Sequence, residues 1–315
     1  SGGNVFFRTD AGVSTIYSYG MHFPMGVRLP SGDFILNGDT HSTTTSGHQS
    51  AVRNAANEWA DRTGRKVIII PFGSLRAAGI EPTNIDITDV ESDRTIPTIC
   101  TRTHPRARWD TSKMPLTAEE RGLTHTHNHH LMGRSVFGVS TFFRNGQRAV
   151  TRTYISGMDE TARNAWRSHF LSELPSPVVT VGNALEVLKP GIVRNYQQNG
   201  LPVLRQGEWF FIPHPNLLTK ELKPIALPDR IYFDQFGKKH TIAQVDRLLP
   251  VGPGAQGRRS HKATELRQGK DGQLYARGSI NHTGREHKRL VLGKVWHSLH
   301  MNTAKGSWSS GGKVD

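Results

Sequence analysis

The sequence contains a single cysteine, Cys100, among its 315 residues. A disulfide framework and a cysteine-rich zinc site each need several sulfurs, so both are excluded. Cys100 follows a short apolar stretch, and we interpret it as a structural residue rather than a nucleophile. This cysteine usage fits a cytoplasmic protein, or an intracellular protein encoded by a virus or mobile element.

Long hydrophobic runs are also missing. Hydrophobic residues make up 35% of the chain, and no run of about 18 apolar residues occurs. We therefore expect neither a membrane-spanning helix nor a membrane partner. The length of the chain is enough for two domains, each with its own core.

Negative charge is scarce, because 26 Asp and Glu stand against 40 Lys and Arg, a formal net charge of +14 at pH 7. The imbalance lies in one part of the chain. Residues 177–315 hold 21 basic and 10 acidic residues, whereas residues 1–176 hold 19 and 16. A charge of this size favours polyanionic partners, and nucleic acid is the partner that we expect.

The order of predicted elements indicates an α+β fold in two parts. We assign residues 4–175 to a mixed N-terminal domain and residues 177–303 to a smaller, β-rich, basic domain. The boundary is the Pro-Ser-Pro segment between them. The Gly- and Ser-rich tail, residues 304–315, is expected to be disordered.

A few local patterns predict individual elements. Short apolar runs at 34–36 and 67–70 indicate strands, and an apolar helical stripe between them ends at Gly64. The pair Asn145-Gly146 predicts a tight hairpin turn. In the C-terminal part, the segment Lys-Asp-Gly at 270–272 predicts a turn between strands near 263–268 and 273–281.

The start of the predicted helix is a candidate phosphate site. Ser46 and Gln49 have the spacing of a capping box, which places the first turn near Gly47. The first N–H groups of a helix lack internal partners and carry partial positive charge, so they bind phosphate readily. The predicted phosphate-binding residues are Thr44, Thr45, Ser46 and Gly47. A capped helix with a polar entry loop explains the same pattern without a ligand.

Histidines near this helix are candidates for acid–base chemistry. His48 lies in the predicted first turn, where the helix dipole disfavours protonation and a neutral imidazole can act as a base or a metal ligand. His41 precedes it in the chain. Together with His127, these residues form the candidate catalytic set of a nuclease or phosphodiesterase.

Residues 125–130 contain four histidines in six positions. In a strand, His125, His127 and His129 would point to one face, where imidazoles can bind zinc or another first-row metal. This is our prediction for a divalent metal cofactor. General acid–base catalysis and a solvated or hydrogen-bonded cluster are the alternatives.

Clusters of basic residues distinguish the C-terminal part. The predicted nucleic-acid-binding residues are Arg258, Arg259, Lys262, Arg285, Lys288 and Arg289. A further cluster is Lys238, Lys239 and His240. Aromatic residues are interleaved with them, and exposed aromatics can stack on bases while basic groups neutralise phosphates.

Two histidine pairs in the same region are additional metal or catalytic candidates. His282 and His287 lie five residues apart around a glycine, and His297 lies three residues from His300. His261 belongs to neither pair, and we assign it to the basic cluster of Arg258, Arg259 and Lys262.

The function that we expect is nucleic-acid binding, with RNA or single strands slightly preferred. One alternative is a histidine- or metal-dependent nuclease or phosphodiesterase. Another is a structural or assembly protein of a virus or mobile element. Two patches, HSTTTSGHQ and RQGEWFF with GSINHTGREHKRLVL, resemble stretches of phage and bacterial mobile-element proteins, a resemblance that implies no activity.

Overall fold

A computed structural model describes residues 4–10, 12–39, 42–91, 94–100, 125–131, 133–142, 148–159, 169–250, 261–282 and 287–310. Within these residues the chain forms three large sheets, two separate strand pairs and four α-helices. The predicted α+β class is confirmed. Among the described residues, none of the helices has the length and apolar character needed to span a membrane.

The first sheet is an antiparallel meander that ends in a parallel strand. Its strands, in spatial order, are β1 (Val5–Asp10), β2 (Val13–Ser18), β3 (Gly20–Arg28), β4 (Phe34–Asn37) and β5 (Val67–Ile70). Helix α1 (Thr43–Thr63) forms the crossover that a parallel pair requires. Gly64 ends this helix with a positive φ of 66°. The strands and the helix end predicted for this region are confirmed.

Helix α1 begins earlier than the sequence predicts. Ser42 is its N-cap, and the Ser42 Oγ accepts a hydrogen bond of 3.2 Å from the Thr45 N–H. The Ser46 N–H already donates to the Ser42 carbonyl, so Ser46 lies inside the helix and the predicted capping box is wrong. Gln49 instead donates to two backbone carbonyls at the end of β4. The tertiary contact with β4 fixes this start, and a local spacing rule cannot foresee it.

The chain continues into a second sheet. Helix α2 (Phe72–Ala77) is followed by β6 (Ile85–Val90), the separate antiparallel pair β7 (Arg94–Cys100) and β8 (His125–Leu131), and the strands β9 (Ser135–Phe142), β10 (Arg148–Met158) and β11 (His169–Glu173). The second sheet has the order β20-β11-β10-β9-β6, in which β20 (Gly306–Ser310) is the last strand of the chain. Strands β9 and β10 form an antiparallel pair, as the predicted hairpin requires, and the predicted turn at Asn145-Gly146 lies outside the described residues.

The two five-stranded sheets share one hydrophobic core. Ile35 and Ile70 come from the first sheet, while Phe137, Tyr154 and Leu171 come from the second, and all five are fully buried. Burial of each such side chain contributes roughly 1.5–3 kcal/mol, so this contact holds the two sheets as one unit.

The C-terminal segment does not behave as a free tail. Residues 306–310 form β20 and pair with β11, so the expectation of disorder is wrong for these residues. Backbone groups along a free strand edge accept almost any partner sequence, which is why a Gly- and Ser-rich segment gives no signal for this pairing. Helix α3 (Val181–Leu188) also packs on the second sheet. The domain boundary at Pro-Ser-Pro stays a prediction.

The third sheet contains most of the basic C-terminal part. After α4 (Gly191–Gln198), the chain forms β12 (Leu204–Gln206), β13 (Trp209–His214), β14 (Lys223–Pro224), the hairpin of β15 (Ala226–Phe233) and β16 (Lys239–Val245), then β17 (His261–Gln268), β18 (Leu274–His282) and β19 (Leu290–Met301). The order is β12-β13-β19-β18-β17-β14, with β15 and β16 outside the sheet. The predicted hairpin around 270–272 is confirmed by the pairing of β17 and β18.

A candidate metal centre in the C-terminal sheet

Two histidines meet at the open end of the β17–β18 hairpin. Pairing starts at the turn at 270–272, and a β-bulge between Ala263 and Glu265 shifts it by one residue, so that His261 and His282 are direct partners. Directly opposed residues of an antiparallel pair share one face of the sheet. The two rings accordingly lie with centroids 4.9 Å apart and planes at 87°.

A third imidazole completes the cluster. The ring of His287 lies 5.3 Å from that of His261 and 4.9 Å from that of His282, measured between centroids. One ring nitrogen from each of the three histidines lies within 4.8 Å of the other two. We call these three residues the histidine cluster.

Burial keeps the first member of this cluster neutral. The His261 side chain is only 2% exposed, whereas His282 and His287 are half-buried. Burial, together with the charges of His287 and His282, lowers the pKa of His261 to about 3. A neutral imidazole offers a nitrogen lone pair, which is the form that a metal ion binds.

Two carboxylates lie behind the rings. An oxygen of Glu208 is 3.7 Å from the Nδ1 of His261, and an oxygen of Asp159 is 3.4 Å from the Nδ1 of His287. Burial raises the pKa of the Glu208 carboxyl above its ordinary value. Carboxylates beside the outer nitrogen of a ligating histidine orient the ring and raise its basicity. At these distances the carboxylates lie in contact with the rings, and they are close enough to orient His261 and His287 if the cluster binds a metal.

A glycine makes room for the rings. Gly207, in the turn between β12 and β13, has a φ of 57°, and a Cβ built there would lie 3.2 Å from the Nε2 of His287. Any larger residue would press on the cluster and would also strain the backbone. Beside it, the Gln206 side chain donates to the Lys288 carbonyl and ties the segment that carries His287 to β12.

The donor set indicates the kind of ion. Imidazole nitrogens suit Zn²⁺ and other first-row transition metals, and a tetrahedral ion at about 2.0 Å from each nitrogen spaces the nitrogens by about 3.3 Å. The ring nitrogens must therefore approach one another by roughly 1 to 1.5 Å to reach that spacing. Side-chain rotation of the half-buried His282 and His287 supplies this movement.

Three predicted nucleic-acid contacts flank the cluster. Lys262 follows His261 in the chain, Lys288 and Arg289 follow His287, and all three basic side chains are exposed. Because successive side chains of a strand point to opposite faces of the sheet, Lys262 lies on the face of β17 opposite His261. The predicted contacts Arg258, Arg259 and Arg285 lie outside the described residues.

The other predicted sites have different outcomes. His41 lies outside the described residues. His48 lies in α1, where its Nδ1 is 2.8 Å from the Ser18 Oγ and its ring packs against Tyr19, so both contacts are structural. His125, His127 and His129 alternate along β8 as expected, but their side chains lie outside the described part of the structure. Their catalytic or metal role stays a prediction.

The predicted phosphate site at the start of α1 has a changed geometry. Thr45 is buried and its N–H is taken by Ser42, whereas Gly47 is exposed in the second turn. Thr44 is exposed in the first turn. With Ser42 as the N-cap, the N–H groups that lack an intrahelical partner are shifted from Gly47 toward Thr43 and Thr44.

Sequence reasoning found part of the histidine cluster and missed the rest. It paired His282 with His287, but it assigned His261 to a basic cluster and passed over Glu208 and Asp159. Extending the predicted hairpin outward from its turn brings 261 opposite 281, and only a β-bulge between Ala263 and Glu265 moves the pairing to His282, so the sequence pattern gives no signal for His261. No local pattern links the carboxylates to the rings.

Comparisons of the chain with family models, with curated proteins and with solved structures found no significant match.

Proposed function

We propose that this chain binds a divalent first-row transition metal, with Zn²⁺ as the best chemical fit, at His261, His282 and His287. The observation that carries the proposal is the convergence of three imidazole nitrogens within 4.8 Å. Mg²⁺ and Ca²⁺ prefer oxygen ligands, so they fit this donor set poorly. Asp159 and Glu208 would orient the rings from outside.

Three protein ligands leave one position of a tetrahedral ion open. In zinc proteins such a position holds water or substrate, whereas structural sites use four protein ligands. The exposed Lys288 and Arg289, which follow His287 directly in the chain, favour an anionic ligand there. This supports a metal-dependent phosphodiesterase or nuclease, now centred on residues other than His41, His48 and His127.

Metal titration of the tag-free protein tests the proposal. After treatment with EDTA and dialysis, competition with a chromogenic chelator should show one Zn²⁺ bound per chain. His282→Ala should weaken this binding at least tenfold, since it removes one of three ligands from a half-buried position. If the centre is hydrolytic, cleavage of a labelled RNA should require added metal and should be lost in this variant.

Two matched controls locate the ion. His48→Ala should leave metal binding unchanged, because His48 is held by Ser18 and Tyr19. His127→Ala tests the predicted site on β8. If either control loses the bound Zn²⁺ while His282→Ala keeps it, the histidine cluster is not the metal site.

Nucleic-acid binding is the second candidate function, and the exposed basic residues beside the cluster favour it. Neutralising phosphates releases counterions, so affinity for RNA and for single- and double-stranded DNA should fall as salt rises from about 50 to 200 mM. Combining Lys262→Glu with Lys288→Glu should weaken the affinity. It should also reduce the slope of log affinity against log salt concentration by about one unit per lysine. Binding that ignores salt, or no binding, would contradict this function.

A further inference from the structure

The β15–β16 hairpin exposes an unusual amount of aromatic surface. Phe236 at its tip is 84% exposed, and Phe233 and Tyr232 are 66% and 44% exposed. The hairpin forms a two-stranded sheet of its own and is not paired to the other sheets. Exposed apolar patches of this kind mark binding surfaces.

The tip is held by its own hydrogen bonds. A carboxylate oxygen of Asp234 accepts from the N–H groups of Phe236 and Lys238 at 2.9 and 3.0 Å. The second oxygen is 2.8 Å from the Nε2 of His240. Because this turn fixes the backbone under Phe236, a ligand that contacts the ring pays little to order the loop.

Aromatic rings and lysines alternate around the hairpin. Tyr232 and His240 are direct partners, and their rings stack with centroids 5.1 Å apart at 16°. Phe233 is paired with Lys239, so a ring and a positive charge share the other face. Lys238 and Lys239 are both exposed. The surface therefore offers flat rings beside charges that can meet phosphates.

We infer that the β15–β16 hairpin is a base-stacking surface for single-stranded nucleic acid. Unpaired bases stack on aromatic rings irrespective of sequence, and adjacent lysines follow the backbone. The inference rests on the proposed nucleic-acid binding and assigns its strand preference to Phe233 and Phe236, since Tyr232 lies on the opposite face and stacks on His240. A lipid-inserting tip would be apolar throughout, whereas this tip also carries Asp234, Gln235 and Lys238.

Fluorescence anisotropy with a labelled 12-nucleotide oligo(U) and a 12-base-pair duplex tests the inference. Combining Phe233→Ala with Phe236→Ala should weaken oligo(U) binding, since loss of each base-stacking contact costs roughly 5- to 150-fold. Duplex binding should change far less, because bases in a duplex are already stacked. Phe236→Tyr should retain binding, and Ile231→Ala, an exposed aliphatic change on the same hairpin, should have no effect.

The possible failures are distinguishable. If the double Phe variant binds oligo(U) like the wild type while Lys262→Glu with Lys288→Glu weakens it, the hairpin inference is overturned and nucleic-acid binding stands. If the wild type binds no nucleic acid, the proposed function itself fails. If the wild type does not bind oligo(U) and the double Phe variant loses binding to anionic phosphatidylserine vesicles, the hairpin is a membrane surface instead. If the double Phe variant loses self-association, the hairpin contacts a second copy of the chain.

Discussion

At the residue scale, His169 is a titratable group buried in the N-terminal unit. It is 5% exposed in β11, beside Gly38 at the end of β4. Its Nδ1 has no hydrogen-bond partner among the described residues. Burial, with a smaller effect of the Arg53 charge, lowers the pKa of His169 to about 4.

This shift predicts a specific loss of stability in acid. The unfolded chain holds His169 at its ordinary pKa of about 6.5, so it binds more protons than the folded chain between about pH 6.5 and 4. The His169 contribution is complete above pH 6.5 and declines as the pH falls through this window. Between pH 7.5 and 4.5 it should cost about 2 to 3 kcal/mol of unfolding free energy.

Urea unfolding of the wild type and of His169→Gln at both pH values measures the effect. Other groups titrate in both proteins, so the difference between the two pH dependences isolates this histidine. Equal pH dependence in the two proteins would show that His169 is not the buried neutral group described here.

At the element scale, the N-cap observed at the start of α1 differs from the N-cap that the sequence predicts. Ser42 caps the helix through its hydroxyl, whereas Ser46, the predicted cap, lies within the first turns. Ser42→Ala should therefore lower the unfolding free energy by about 1 kcal/mol. Ser46→Ala should change it by less than about 0.5 kcal/mol, since alanine is the better helix former. Chemical denaturation checks both, and the opposite ranking would restore the cap predicted at Ser46.

The histidine cluster is also a product of element pairing. The β17–β18 register places His261 against His282, and the β12–β13 turn supplies the glycine against which the rings lie. Strand pairing thus sets the histidine cluster, whose three members span 26 positions of the chain, from His261 to His287. Such pre-organisation by rigid strands favours a defined binding geometry.

At the scale of the whole molecule, two of the contacts that join the N- and C-terminal parts involve the histidine cluster and β20. Asp159, just after β10, contacts His287 of the histidine cluster, and β20 returns to pair with β11. A metal ion bound at the cluster would therefore link the two parts and stabilise the folded chain by an amount that grows with the logarithm of its concentration over its Kd.

Removal of β20 tests the second connection. Deleting residues 306–315 leaves one edge of β11 without a partner, so amide hydrogens of β11 should exchange at least about tenfold faster, the factor for about 1.4 kcal/mol of local stability. Deleting only residues 311–315 keeps the strand and serves as the control. Similar protection of β11 in both truncated chains would mean that β20 adds nothing to the sheet.

The sequence by itself determined the α+β class, the strands at 34–36 and 67–70, the helix end at Gly64 and the hairpin at 270–272. These features follow from local causes, namely apolar periodicity and turn residues whose backbone preferences act within a few positions. The charge asymmetry toward the C-terminal part is equally a property of composition.

Only the tertiary structure decided where α1 begins, that residues 306–310 form a strand, and that His261 and two carboxylates join His282 and His287. Each depends on contacts between segments far apart in the chain: the end of β4, the free edge of β11, and the junction of β10, β12 and β17. Pairing of backbone edges and convergence of side chains are set by packing, because the same local residues are compatible with several partners until the core fixes one.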